Sequence, residues 1–113
     1  MSRFNKDFTI SNLQKEIGDW IINEGGGYWP PLSMLAAIIE ELGEVSREIN
    51  IIEKIKPLKS DEEKGDLGLE LTDLIMSIVC IANFYKIDLT EKIIKKIKII
   101  KIRDKNRFMN IKE

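Results

Sequence analysis

Apolar side chains recur every three or four residues in four segments of the chain, and glycine, proline or charged residues separate the segments. This spacing places the apolar residues on one face of an α-helix. It predicts helices over about 9–23, 31–55 and 66–85, and a fourth from Asp88 or Thr90 onward. The candidate N-caps are Thr9 or Ser11 for the first helix, Ser33 for the second and Asp88 or Thr90 for the fourth. No segment shows convincing strand alternation. We therefore expect an all-α, four- to five-helix bundle.

The predicted core faces of the two middle helices are closely similar. Their apolar stripes consist of Leu35, Ile38, Leu42, Val45, Ile49 and Ile52 in the second helix, and Leu67, Leu71, Leu74, Ile78, Ile81 and Tyr85 in the third. A shift of about 29 positions along the chain superimposes most of the first stripe on the second. The same shift carries Glu41 and Glu44 onto Glu70 and Asp73.

These four acids form two matching pairs at the margin of the predicted core. Residues three apart on a helix lie roughly 60° apart around its axis, so each pair projects side by side. If the stripes pack antiparallel, the pairs can meet in one hollow, where their repulsion would require a cation. Oxygen ligands favour Mg²⁺, with Mn²⁺ as a substitute. The alternative is that these residues belong to solvated helix faces, since glutamate is a good helix former.

Composition narrows the chemistry that is available. The 113 residues carry a net charge of −1, one cysteine (Cys80) and no histidine. These counts exclude a disulfide framework, Cys–His zinc sites, a Ser-His-Asp triad and a Glu-x-x-His di-iron site. The near-neutral charge gives no reason to expect nucleic-acid or membrane partners. With no targeting segment visible, and an apolar stretch at 74–85 too short to span a bilayer, we expect a cytoplasmic protein.

The order and spacing of the acids carry a family resemblance. Glu40-Glu41-x-x-Glu44, followed after 25 residues by Glu70-x-x-Asp73, resembles the EExxE…ExxD signature of the MazG-like nucleotide pyrophosphohydrolases, in the all-α NTP pyrophosphohydrolase superfamily. The resemblance implies a helical domain over 9–108, which leaves an N-terminal arm (1–8) and a C-terminal tail (109–113). It also implies Mg²⁺ on Glu41, Glu44, Glu70 and Asp73, with Glu40 as the candidate general base.

Further residues are candidates for contacts with the rest of a nucleotide. Lys105, Asn106 and Arg107 match the family's C-terminal basic element and are candidate phosphate ligands, as is Lys101. A solvated basic face is the alternative. Trp29 is the candidate for stacking on a base and Gln14 for hydrogen bonding to its edge, whereas Trp20 and Cys80 are expected in the core.

The function expected from these features is Mg²⁺-dependent cleavage of (d)NTP to (d)NMP and pyrophosphate in nucleotide-pool cleaning. Two alternatives stay open at this point. One is phosphoribosyl-ATP hydrolysis within the same superfamily, and the other is a non-enzymatic helical adaptor or regulatory dimer. A domain this small gains from association, so we expect a homodimer or tetramer whose sites can draw on more than one protomer. Base preference, sugar preference and the number of metal ions do not follow from the sequence.

Overall fold

A computed structural model describes residues 4–55, 57, 65–105 and 107, and this part of the chain is built from helices. They are α1 (Ile10–Asn23), α2 (Pro31–Ile52), α3 (Leu67–Phe84) and α4 (Leu89–Arg103). Neither strands nor bridges occur among the described residues. The all-α prediction is confirmed. Asn106 and the predicted tail at 109–113 lie outside the described residues.

Local chemistry accounts for where the helices begin. Thr9 caps α1 in a capping box with Asn12, in which each side chain accepts a hydrogen bond from the other residue's backbone N–H. Asp66 and Asp88 cap α3 and α4 by accepting from the backbone N–H three residues ahead. The Ser33 prediction is wrong, because α2 already begins at Pro31, where the fixed φ of proline favours a first helical position.

The connection between α1 and α2 depends on glycine. Gly26 and Gly27 have φ values of +82° and +96°, which side-chain-bearing residues rarely adopt. At Gly25 an added Cβ would lie 3.0 Å from the Cζ3 atom of Trp20, so the indole packs directly over the glycine backbone. The three glycines thus allow the loop to fold back beneath Trp20.

The helices α2 and α3 form the centre of the fold. Glu48 contacts Gly65, Glu41 approaches Glu70, and Ala37 and Ser77 line the same cavity, so the two helices run antiparallel. The remaining helices pack less extensively, because α1 packs against α3 and α4 packs mainly against α1.

A hydrogen-bond network centred on Gln14 joins three helices. Its amide nitrogen donates to the side-chain oxygen of Asn83 and to the carbonyl of Ile87, at 3.0 and 2.8 Å. Its amide oxygen accepts from the backbone N–H of Leu89 at 2.9 Å, and Asn83 donates back to the Gln14 carbonyl. The side chain of Gln14 therefore ties α1 to α3 and to the start of α4.

The apolar stripes predicted for α2 and α3 are only partly buried. Within the part of the chain that the structure describes, the buried apolar residues are Ile21, Met34, Val45, Val79 and Ala82. Leu35, Leu42, Ile49 and Ile52 of the predicted α2 stripe are exposed, as are Leu71, Ile78 and Tyr85 of the predicted α3 stripe. The reason is that α2 is apolar on two faces. The face that meets α3 includes Met34, Glu41, Val45 and Glu48, roughly 90° around the helix from the row formed by Leu35, Leu42 and Ile49.

Exposed apolar surface is extensive on three of the helices. Besides the rows on α2 and α3, α4 exposes Ile93, Ile94, Ile97, Ile99, Ile100 and Ile102. By length and composition α3 is also the one helix of the described chain that could cross a membrane. Core helices of soluble proteins meet the same criteria, and α3 carries Glu70 and Asp73 within the hairpin with α2.

Candidate metal centre

Three carboxylates converge where α2 faces the beginning of α3. Glu41 lies midway along α2, Glu70 is in the first turn of α3, and Asp73 follows one turn later. One carboxylate oxygen from each lies within 4.8 Å of the other two. Glu41 and Glu70 are half-buried, whereas Asp73 is exposed. The cluster therefore sits at the edge of the hairpin, open to a ligand on one side.

The electrostatics of the cluster suit a cation. The pKa of Glu70 is raised above its ordinary value, first by desolvation and then by the negative charges of Asp73, Glu44, Glu41 and Glu48. Closely spaced carboxylates that repel one another are stabilised by a positive ion between them. Because all the donors are hard oxygens, Mg²⁺ and Mn²⁺ fit this set of ligands better than softer metals do.

The structure brings the predicted metal ligands together to different degrees. Glu41, Glu70 and Asp73 form the cluster itself. Glu44 is close enough for its charge to raise the pKa of Glu70, but it is exposed and lies outside the three-oxygen group. Glu40, the predicted general base, is exposed beside Glu41 on α2.

One acidic residue near the cluster was missed by the sequence analysis. Glu48 is only 3% exposed, and its charge adds to the raised pKa of Glu70. Its carboxylate pairs with the guanidinium of Arg47 at 2.8 Å. A signal was present in the sequence, because a residue seven positions after Glu41 returns to nearly the same face two turns later.

A cavity of about 260 Å³ lies between the loop after α1 and the two central helices. In its wall, Ala37 is one helical turn from Glu41 and Ser77 is one turn from Asp73, but the three acids themselves do not line it. The rest of the lining is mostly apolar and aromatic: Trp20, Ile21, Gly25, Gly27, Tyr28, Trp29, Met34 and Cys80. A water molecule occupies about 30 Å³ in the liquid, so the cavity accommodates a much larger group.

Two core predictions change at this cavity. Trp20 is 58% exposed and lines the cavity with Trp29, which is 64% exposed, so the prediction of a core position for Trp20 is wrong. Cys80 is half-buried at the cavity wall, and desolvation raises the pKa of its thiol. Gln14 is not among the lining residues, because its amide is held in the network with Asn83, Ile87 and Leu89.

The predicted phosphate ligands lie on and just beyond α4. Lys101 and Lys105 are exposed. Arg107 lies 3.7 Å from Asp104, a buried residue that also accepts two hydrogen bonds from Arg103. Those hydrogen bonds hold the pKa of Asp104 below its ordinary value, against the effect of desolvation. Lys101 therefore lies on a helix whose main contacts, among the described residues, are with α1.

Comparison with known proteins gives the class of this fold, which is that of an all-α hydrolase acting on pyrophosphate bonds. Residues 30–108 match the MazG nucleotide pyrophosphohydrolase domain. The chain belongs to the MazG nucleotide pyrophosphohydrolase family. The uncharacterised YpjD protein of Bacillus subtilis strain 168 is 35% identical over 107 residues, a match that covers 95% of this chain and 96% of YpjD.

Solved structures agree with the family assignment. The crystal structure of YpjD from Bacillus subtilis, described as a candidate pyrophosphatase, superimposes with a TM-score of 0.76 at 33% identity over 88% of this chain and 100% of that one. The Bacillus-conserved MazG protein, a nucleotide pyrophosphohydrolase, superimposes with a TM-score of 0.61 at 30% identity. That match covers 84% of this chain and 90% of the MazG protein.

Proposed function

We propose that the protein is a Mg²⁺-dependent hydrolase that cleaves (d)NTP to (d)NMP and pyrophosphate and serves nucleotide-pool cleaning in the cytoplasm. The observation that carries the proposal is the convergence of Glu41, Glu70 and Asp73 within 4.8 Å in a member of this family. The raised pKa of Glu70 supports it, because such a cluster gains from a cation that relieves its repulsion.

The acids have two tasks in this proposal. Glu41, Glu70 and Asp73 hold the divalent ion, and Glu44 joins them by a change of side-chain rotamer from its exposed position. A divalent ion in this site would neutralise phosphate charge and acidify the attacking water. Glu40 accepts the proton of that water, a role that its exposed position next to Glu41 allows.

The neighbouring cavity is the proposed site for the base. Trp29 and Trp20 offer aromatic faces for stacking, and the cavity begins one turn from the metal ligands on both central helices. A nucleotide whose phosphates lie at the acids would therefore direct its base into the cavity. Gln14 can donate a hydrogen bond to the edge of the base only if its side chain first leaves the network that joins α1, α3 and α4.

We also propose that the protein works as a homodimer or a tetramer of dimers. The exposed isoleucine row of α4 and the exposed apolar rows of α2 and α3 are costly to hydrate, and a second copy would cover them. Because α4 packs mainly on α1, the proposed phosphate ligands reach the acids most simply from a second copy. These ligands are Lys101, Lys105, Asn106 and Arg107.

The test is product analysis with a panel of ribo- and deoxyribonucleoside triphosphates in Mg²⁺. The proposal predicts equimolar nucleoside monophosphate and pyrophosphate from at least one triphosphate, with no nucleoside diphosphate. Phosphoribosyl-ATP belongs in the panel, because cleavage of that compound alone would support the related activity instead. Release of orthophosphate, or no release from any compound, would refute the proposed reaction.

A further inference from the structure

Glu48 occupies an unusual place for a glutamate. It lies on α2 seven residues after Glu41, two turns along the same face, and its side chain is 4% exposed. Carboxylates are rarely buried to this degree unless they are paired. Here Arg47 supplies the pairing at 2.8 Å, with a side chain that is 28% exposed. With that partner and roughly 10 Å of helix between it and Glu41, Glu48 is not a member of the three-oxygen cluster.

Glu48 packs closely against Gly65. An added Cβ at Gly65 would collide with the carboxyl carbon and both carboxylate oxygens of Glu48. A side chain at position 65 would therefore displace the Glu48 carboxylate from this place. Gly65 immediately precedes Asp66, which caps α3 through its hydrogen bond to the backbone N–H of Leu69. The Glu48 carboxylate is therefore packed against the beginning of α3.

The start of α3 determines where two of the metal ligands lie. Glu70 is in the first turn of this helix and Asp73 is one turn further on. If α3 shifted by one residue in register against α2, the side chain presented at each level of the helix would change its direction by about 100° around the axis. Anything that fixes the first turn of α3 against α2 therefore also fixes Glu70 and Asp73 opposite Glu41.

We propose that Glu48 is a positioning residue of the metal centre, which acts by packing against Gly65 and so holds the first turn of α3 in register with α2. This inference rests on the proposed function, because it assumes that the acidic cluster binds a divalent ion. Glu48 itself contacts neither the ion nor the substrate. Its contribution is to the geometry of Glu70 and Asp73.

The test measures Mn²⁺ binding to the full chain without nucleotide, from the electron paramagnetic resonance signal of free Mn²⁺. Glu48→Ala and Gly65→Ala should each raise the Kd by roughly tenfold or more, which is the usual effect of losing a support for metal ligands. Glu48→Gln keeps the shape of the side chain and should raise the Kd less than Glu48→Ala. Glu53→Ala, at an exposed glutamate just beyond α2, is the matched control and should leave the Kd unchanged.

The variants separate positioning from other effects. If Glu48 acted only through its charge, Gly65→Ala would bind Mn²⁺ like the wild type and Glu48→Gln would be as weak as Glu48→Ala. The double variant Glu48→Ala/Gly65→Ala should be no weaker than the poorer single variant, because both lose the same contact. The melting temperature is recorded for every variant. If Glu48→Ala does not fold, Gly65→Ala and Glu48→Gln decide the question.

The two ways in which this inference can fail are distinguishable. Wild-type affinity in both Glu48→Ala and Gly65→Ala, with normal Mn²⁺ binding by the wild type, would overturn the positioning role alone. An additive effect of the two substitutions would overturn it as well. Absence of saturable Mn²⁺ binding by the wild type would overturn the proposed metal centre and this inference together.

Discussion

The protonation of Glu70 links the metal centre to pH. Desolvation and the surrounding carboxylates raise its pKa, so without a metal the folded protein holds this proton more tightly than the unfolded chain does. Protonation of Glu70 thus stabilises the metal-free fold. That contribution is fully present below the pKa of an unfolded glutamate and is lost as the pH rises through the raised pKa.

A pH-dependent stabilisation by Mg²⁺ follows. The ion competes with the proton on Glu70, so its affinity should rise with pH through the raised pKa and then level off. We expect the increase in melting temperature on adding Mg²⁺ to be larger near pH 7.5 than near pH 5. Differential scanning calorimetry measures it. Glu70→Gln should lose most of the Mg²⁺ effect at both pH values, and an equal Mg²⁺ shift at both in the wild type would contradict this account.

The repeated geometry of the two central helices predicted that their acids would meet, and the structure brings Glu41, Glu70 and Asp73 together. Their role as metal ligands stays a prediction. Glu48 was missed because helical spacing gives only its face on α2, whereas its close contact is with Gly65, which is distant along the chain. Trp20 was misplaced for a similar reason, since its position depends on the path of the glycine loop that it packs against.

At the scale of elements, the Gln14 network provides a test of how α4 is held. Gln14→Ala leaves the backbone N–H of Leu89 and the side-chain oxygen of Asn83 without this partner. The expected cost is about 1–3 kcal/mol of unfolding free energy, because the three hydrogen bonds of the Gln14 amide, which are part-buried or exposed, would be lost together. Urea denaturation measures it. Lys15→Ala, which removes an exposed ion pair with Asp19 on the same helix, should cost less.

The same variant distinguishes the two roles considered for Gln14. A structural role predicts lower stability with little change in the KM for nucleotide once the protein is folded. A role in base recognition predicts the opposite pattern, with a raised KM and unchanged stability. That second pattern would show that the network opens when substrate binds.

The loop between α1 and α2 carries a prediction about the base. Trp29→Ala should weaken nucleotide binding by roughly 1–3 kcal/mol, the range measured for base–aromatic stacking, while Trp29→Phe should retain much of the affinity. Isothermal titration with the preferred triphosphate and Ca²⁺ in place of Mg²⁺ measures binding without turnover. Tyr85→Ala, at an exposed aromatic outside the cavity lining, is the control. Unchanged affinity in Trp29→Ala would exclude Trp29 from the base site.

The bounds of the helices were largely predictable from the sequence, whereas the face that each central helix buries was not. Their periodicity, capping residues and breaks gave four helices whose ends agree with the structure within a few residues. The choice of face failed because α2 and α3 are apolar over more than one side. A period of 3.6 residues shows that an apolar face exists, but it does not say which neighbour covers each part of it.

At the scale of the whole molecule, the exposed apolar rows predict self-association. The wild type should elute as a dimer or larger in size-exclusion chromatography with light scattering. Ile97→Lys places a charge in the exposed row of α4 and should shift the equilibrium towards monomer without unfolding α4, since lysine is a good helix former. Lys95→Ala, on the same helix, should leave the assembly intact. A monomeric wild type at micromolar concentration would contradict the prediction.

Mixing experiments test whether a second copy supplies the phosphate ligands. Glu70→Gln and Lys101→Ala/Lys105→Ala should each be inactive or nearly so. After unfolding and joint refolding, the mixture should recover roughly a quarter of the wild-type activity, because half of randomly paired two-fold dimers are mixed and each restores one of two sites. If each chain used its own lysines, no dimer would contain a complete site and activity would not return.

The most direct test of the central claim is the Mg²⁺-dependent release of pyrophosphate from the preferred triphosphate by the wild type and by Glu41→Gln and Glu70→Gln. We predict that pyrophosphate release by the wild type saturates with Mg²⁺ and stops when the ion is chelated. In each variant the rate of release should fall by at least about a hundredfold, which is the upper end of the effect of removing a group that only supports a metal ligand. Wild-type rates in either variant, or release that does not depend on a divalent ion, would contradict the assignment of these carboxylates to the metal centre.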